Sequence, residues 1–426
     1  MPSDPVQALA DEPVDHRFKG LPPDAGERGL TVGQLAAERR DLFDGGFTTP
    51  VLTLDADALE HNLTALGAYA SRHGLAFAPH GKTCMAPQLF RRQLDHGAWG
   101  ITVAVPHQVR VCRAFGVPRV FLANQLVDPA ALRWIAAELA ADPGFRFVCY
   151  VDSVRGVRLM DRALRGAPAA VDVVVELGAG EGARTGARTE EECRAVAEAV
   201  AATTTLRLAG VAGYEAEVPD ASPATVQAYL RRLTALAAGL DAAGLFSPGL
   251  TEIVVSAGGS AWFDTVAEVF AELPPLSRPT LRLLRSGAYV SHDHGWYTRL
   301  TPFNRRPEEG ALRPAFRLWT QVVSRPSPTQ AFVNAGKRDI AYDLGLPGAE
   351  LIRDPLDGAE RPATGVRVVK LSDQHAWLET GPDTGLQVGD WVALSMSHPC
   401  TIFEKWPLIP LVEADGTVTD YVRTFF

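Results

Sequence analysis

Residues 146–177 read RFVCYV DSVRGVRLMDRALRGAPAA VDVVVEL. Two apolar, β-branched runs, Arg146–Val151 and Val171–Leu177, flank a stretch rich in Ala, Leu and Arg. The runs have strand character and the stretch between them has helix character, which makes a strand–helix–strand unit. The alternation continues in both directions. Strands are expected near Val51–Leu54, Ala76–Pro79, Gly100–Val103, Arg119–Leu122, Leu206–Val211, Glu252–Ser256 and Leu281–Arg285. Helices lie between most of them, for example Asp55–Ser71 and Pro223–Ala243. Thr189 followed by three Glu supplies a helix cap and carboxylates at the positive end of the dipole. Alternation over roughly 240 residues requires a parallel sheet. Nine strands are one more than a closed (β/α)8 TIM-type barrel uses, and setting the first aside leaves eight. An open doubly wound sheet is the competing architecture.

From about residue 300 the pattern changes. Phe316–Val323, Gly365–Leu371, Ala376–Thr380 and Trp391–Ser395 are strand-like runs separated by Pro, Gly and Asp turns, with no long helix. The expected organisation is an α/β barrel over 46–298 and a second, smaller all-β domain. The latter joins 299–426 to an N-terminal arm, 1–45, that carries one short helix near Val32–Leu42. The Pro-rich stretch 302–314 reads as a linker.

Apolar residues form 46% and charged residues 21% of the 426, which excludes disorder over most of the chain. A net charge of −9 gives no general attraction to nucleic acid or to an anionic membrane. No apolar run is long enough to span a bilayer, and the polar N-terminus lacks the pattern of a secretory leader. Five scattered cysteines point to reduced thiols and a cytoplasmic setting.

Five segments could carry chemistry. Ala78-Pro79-His80-Gly81-Lys82-Thr83-Cys84 follows a short strand, at the end of the barrel where active sites form. Lys82 is either a surface loop lysine or a desolvated amine able to form a Schiff base with an aldehyde. Ser256-Ala257-Gly258-Gly259-Ser260 is either a plain tight turn or a backbone cradle for phosphate. Gly178 to Gly186 lacks the spacing of a dinucleotide fingerprint, and its Arg184 is better used facing a carboxylate or ring nitrogen. His398 and Cys400, two apart in an extended segment, are either a metal-ligand pair or a buried thiol beside an ordinary histidine. The cluster His292-Asp293-His294 could neighbour a site or lie in a solvated loop.

Taken in this order, the segments resemble the D-serine dehydratase/D-threonine aldolase group of pyridoxal-phosphate (PLP) enzymes, which has an alanine-racemase-type barrel. Pro79-His80-x-Lys82-Thr83 matches the group's PLP-lysine motif, with Ala78 and Cys84 where the motif usually has Arg and His. Gly180-x-Gly182-x-Arg184-Thr185-Gly186, Ser256-x-Gly258-Gly259-Ser260 and Arg285-Ser286-Gly287-x-Tyr289 resemble further motifs of the group, as does His398-x-Cys400. The resemblance implies that Lys82 holds PLP and acts as the base, with His80 beside it. Ser256, Gly258, Gly259 and Ser260 would take the phosphate. Arg184 would meet the pyridine nitrogen or the substrate carboxylate, with Tyr214 and Tyr289 close by. His398 and Cys400 would bind Zn2+ or another divalent ion. Dehydratases of the group carry H-x-C and aldolases typically H-x-D, so Cys400 favours β-elimination of a D-β-hydroxy amino acid to a 2-oxo acid and ammonia. The alternatives are retro-aldol cleavage of D-threonine or 3-hydroxy-D-aspartate, and a metal-independent PLP carrier or racemase. The group also implies a homodimer.

Overall fold

The computed structural model describes residues 4–426, so the first three residues of the expected arm lie outside it. The chain divides into two compact units. One comprises Leu66–Lys82 and Gln93–Gly287; the other comprises the chain up to Ala65, Thr83–Arg92 and Ala288–Phe426, about half of the residues.

Strand β1 (Val51–Asp55) is the one the strand count left over. It lies in the second unit, antiparallel to a strand that begins at Phe316 and parallel to Leu408–Val412. The expected boundary at 46 therefore falls ahead of a strand that belongs with the C-terminal half. Its four consecutive buried residues, Val51 to Leu54, need cover on both faces, which the ends of a barrel do not provide.

The first unit holds eight parallel strands: β2 (Ala76–Phe77), β3 (Ile101–Val103), β4 (Arg119–Gln125), β5 (Arg146–Val151), β6 (Val171–Leu177), β7 (Leu206–Gly213), β8 (Ile253–Ala257) and β9 (Thr280–Leu284). They pair in the order β2-β9-β8-β7-β6-β5-β4-β3. A parallel bridge between His80 and Thr102 joins the two ends, so the sheet is a closed barrel and the open doubly wound alternative is excluded. At this seam Trp99 N–H donates to Phe77 O at 2.6 Å and Thr102 N–H to Pro79 O at 2.9 Å. The Thr102 hydroxyl adds a bond to Ala78 O at 2.6 Å. The interior is filled by Phe121, Val148, Tyr150, Val174 and Leu283 among the small residues Ala78, Ala209 and Ala212. Thr189 caps the helix Glu190–Ala201 in a reciprocal capping box with Glu192.

The second unit contains β10 (Phe316–Ser327), β11 (Gln330–Val333), β12 (Gly348–Arg353), β13 (Glu360–Pro362), β14 (Val366–Leu371), β15 (Ala376–Thr380), β16 (Trp391–Ser395), β17 (Leu408–Val412) and β18 (Val418–Arg423). The order β11-β15-β14-β12-β16-β10 closes on itself because β10 also pairs with β11. Strands β1, β17 and β18 continue from β10. The N-terminal arm packs on this extension: Val14, Phe18, Leu21 and Leu35 join a core with Val51, Trp319, Trp391 and Tyr421. Burying these side chains, at about 25 cal/mol per Å² of apolar surface, is what orders an arm with little regular structure. Among the described residues no helix is long and apolar enough to cross a membrane.

Candidate active site

Lys82 sits on a single helical turn, Gly81–Thr83, just past the carboxyl end of β2. It is half-buried. His80, two residues earlier, makes the barrel-closing bridge, and its Nδ1 is buried with no hydrogen-bond partner. Burial, together with the positive charges of Lys82 and Arg285, holds the His80 imidazole well below its ordinary pKa. This histidine is therefore neutral at physiological pH.

Polar side chains on or just after β6, β7, β8 and β9 lie close together inside the first unit. Arg285, at the end of β9, is 5% exposed. Its guanidinium donates to Ser256 Oγ and, at 2.7 Å, to Gly213 O, and it lies 5.4 Å from the Phe121 ring. Glu176 on β6 accepts from Gln125 Nε2 and from Thr185 Oγ1, the latter at 3.1 Å. Burial raises its pKa, and the two donors only partly offset this. Glu215, which follows β7, is fully buried, and its carboxylate accepts the N–H groups of Gly258 at 2.9 Å and Gly259 at 2.6 Å. Tyr214 flanks this turn, and burial with the adjacent Glu215 pushes its phenol up to about 12.

The candidate metal pair belongs to the second unit. His398 has φ +75°, and its Nδ1 is hydrogen-bonded to Asp343. Thr401 donates to the other Asp343 oxygen at 2.7 Å. Cys400 Sγ lies 3.3 Å from Thr83 Oγ1. The Cys400 sulfur and the Asp343 carboxylate hold the His398 imidazolium up to about 9. Among the described residues no group of three or more His, Cys, Asp or Glu is placed to hold a metal ion.

Residues 54–271, more than half of the chain, match the family model for the alanine racemase N-terminal domain. The chain belongs to that family. Residues 315–412 match a putative serine dehydratase domain. A D-threonine aldolase from Arthrobacter sp. is 27% identical over 376 residues, 87% of this chain and 90% of the relative. A 3-hydroxy-D-aspartate aldolase from Paracoccus denitrificans (strain Pd 1222) is 27% identical over 379 residues, with the same coverage. The crystal structure of D-threonine aldolase from Filomicrobium marinum has a TM-score of 0.73 and 26% identity, covering 89% of this chain and 95% of that one. D-threo-3-hydroxyaspartate dehydratase from Delftia sp. HT23, at 22% identity and a TM-score of 0.68, shares the fold. A cysteine-to-alanine variant of D-threo-3-hydroxyaspartate dehydratase has been solved in a metal-free form.

The alanine racemase family is PLP-dependent, and its relatives here are lyases of D-amino acids. The residues of the first unit fit PLP: an amine at the strand end for the aldehyde, a buried orphaned ring nitrogen beside it at His80, and a buried guanidinium at Arg285. Three expectations are placed differently. Arg184 is 68% exposed and ion-paired with Glu217, its guanidinium 5.5 Å from the Tyr214 ring, while its backbone N–H donates to the same carboxylate at 2.8 Å. Ser256 lies within β8, and its hydroxyl is spent on Leu283 O and Arg285. The Gly258 and Gly259 N–H groups hold Glu215 instead of standing open to a phosphate. Ser260 follows them, half-buried, in the same turn. Tyr289 is buried in the second unit, on the turn Ala288–Val290.

Glu176, Glu215 and Asp343 escaped the sequence reading. Glu176 had a visible signal: with Asp172 it is one of two carboxylates in the otherwise apolar run Val171–Leu177. Asp343 had none, because its partner lies 55 positions away. Cys84 is fully buried, and burial pushes its thiol up to about 12, so it is an inert thiol where the motif has a histidine.

Proposed function

We propose that this protein is a PLP- and metal-dependent lyase that converts a D-β-hydroxy amino acid, such as D-serine or D-threonine, to a 2-oxo acid and ammonia. The observation that carries the proposal is the position of Lys82, past the end of β2 and two residues from His80, whose imidazole burial and the charges of Lys82 and Arg285 keep neutral.

Bound PLP supplies an electron sink for the Cα of the amino acid. Lys82 Nζ takes the Cα proton. Neutral His80 adds no positive charge next to that amine. Arg285 and Tyr214 would line the pocket for the ring, and Ser260 would offer a hydroxyl to the phosphate. In the second unit, His398 and Cys400 would hold the divalent ion. The carboxylate of Asp343 on Nδ1 fixes the imidazole and would leave Nε2 as the ligand atom, an arrangement common to metal-bound histidines. An imidazole and a thiolate suit zinc, which as a Lewis acid would help the β-hydroxyl leave. Loss of water and hydrolysis of the resulting enamine release the oxo acid and ammonia, with water balanced over the two steps. Five free cysteines support a reducing, cytoplasmic setting, and we take the working unit to be a homodimer.

Retro-aldol cleavage is the second reading, supported by the names of the two curated relatives. Both reactions start from the same bound substrate, and a tenfold preference needs only about 1.4 kcal/mol. A panel of D-serine, D-threonine and D-threo-3-hydroxyaspartate separates them: ammonia with oxo acid supports elimination, whereas glycine with an aldehyde overturns it. Absence of the visible absorbance of lysine-bound PLP in wild type, or its persistence in Lys82→Ala, would overturn the assignment of the lysine. Turnover that survives EDTA with no metal in the protein would remove the metal step.

A further inference from the structure

We infer that Glu215 is a positioning residue: its carboxylate, and not the cofactor's phosphate, takes the N–H groups of Gly258 and Gly259 and so sets the turn that presents Ser260. The inference rests on the PLP reading above. It concerns how the chain prepares its own phosphate turn.

Every backbone group of the two glycines is accounted for. Glu215 Oε2 accepts from Gly258 at 2.9 Å and Oε1 from Gly259 at 2.6 Å. Arg285 N–H donates to Gly258 O at 3.2 Å, and Ser286 Oγ donates to Gly259 O at 2.9 Å. A carboxylate that spreads both oxygens over two adjacent N–H groups satisfies an anion nest from within the chain.

The space is taken as well. Gly258 has φ +104°, and a Cβ there would lie 2.1 Å from Leu284 Cδ1. A Cβ on Gly259 would lie 2.9 Å from Tyr214 Cε2 and 3.4 Å from Glu215 Oε1. Glu215 itself is 0% exposed. A phosphate on the same donors would have to expel a fully buried carboxylate or press against it, two anions competing for one pair of N–H groups. The turn is held by the chain's own groups, and Ser260 is the next residue along it.

The test uses the full-length protein with Glu215→Ala and Glu215→Gln. Amide exchange over 256–260 is measured in the cofactor-free chain, and PLP affinity with the 31P resonance of the bound cofactor in the loaded one. Glu215→Ala is expected to speed exchange at Gly258 and Gly259 at least a hundredfold, to weaken PLP binding at least tenfold and to shift the 31P resonance. Glu215→Gln keeps one acceptor and is expected to fall between alanine and wild type in all three. If Glu215→Ala binds PLP as well as wild type or more tightly, the carboxylate is a competitor or a bystander and the inference fails. Unchanged exchange at both glycines also overturns it. If the alanine variant does not fold, wild-type behaviour of Glu215→Gln in both measurements does the same. A wild-type chain that takes no PLP defeats the lyase reading, while the exchange measurement still decides the role of Glu215.

Discussion

The buried carboxylate of Asp293 accepts the backbone N–H of His398 at 3.1 Å. Its second oxygen accepts the N–H groups of Gly295, Tyr297 and Thr298 at 3.0, 2.9 and 3.3 Å. His398 is a non-glycine residue in the left-handed region, a conformation that costs of order 1–3 kcal/mol unless its surroundings hold it. Asp293 is what holds it. The cluster 292–294, ambiguous in sequence, thus acts through the backbone of the metal-ligand turn. Asp293→Asn is expected to weaken metal binding about 10- to 100-fold, the range seen for groups that orient ligands. Chelator competition on folded protein measures this, and an unchanged affinity would refute it.

Arg184 and Arg285 differ in what their removal costs. Arg184→Ala breaks an exposed ion pair worth at most about 1 kcal/mol, and PLP affinity is expected to stay within about twofold. Arg285→Met removes the donor to the buried Gly213 carbonyl and one of two partners of the Ser256 hydroxyl, at about 1–3 kcal/mol. It is also expected to lose PLP on gel filtration. Chemical melts and cofactor titrations on both variants give the comparison; equal effects would mean the rim arginine reaches the ring after all.

His292 makes stability depend on pH. Burial lowers its pKa from 6.5 to about 4. Above 6.5 the folded and unfolded chains are both neutral there. Between 6.5 and about 4 the unfolded chain takes the proton first, so stability falls as pH drops through that window and levels off below it. The contribution is at most about 3 kcal/mol. His292→Asn, which tolerates the φ of +49°, is expected to flatten the fall in melting temperature between pH 7 and pH 4.5. Parallel curves for variant and wild type would show the histidine is not responsible.

Gly287 lies against the strand end that leads to the lysine. A Cβ there would stand 2.5 Å from His80 O and 2.6 Å from His80 Cβ. Gly287→Ala is expected to destabilise the protein by about 1–3 kcal/mol. Because the clash is with His80, PLP loading is expected to fall further than the melting temperature alone implies. Normal loading in a destabilised variant would count against this.

Strand positions were legible where the sequence pattern is local. Val171–Leu177, Ala376–Thr380 and Trp391–Ser395 carry their own apolar or alternating signature and fall where that signature puts them. So does the Thr189 cap. The place of Lys82, just past the end of β2, was legible because the strand and the motif after it are short and local. The burial of Arg285 against the exposure of Arg184 was not, since both follow strands and only the direction of the side chain separates them. The occupant of the Gly258–Gly259 turn was hidden for a similar reason: a glycine pair announces free N–H groups, but not the carboxylate 43 positions earlier that claims them. The affiliation of β1 depends on partners more than 260 residues away, beyond any local pattern.

The barrel ring is completed at β2, which is two residues long, and there a threonine hydroxyl stands in for part of the ladder. The stave that leads to the proposed reactive amine is thus fastened to its neighbour partly by a side chain. Exchange of that hydroxyl for a methyl, at Thr102, would loosen a whole hoop of eight at the one place where it carries the lysine.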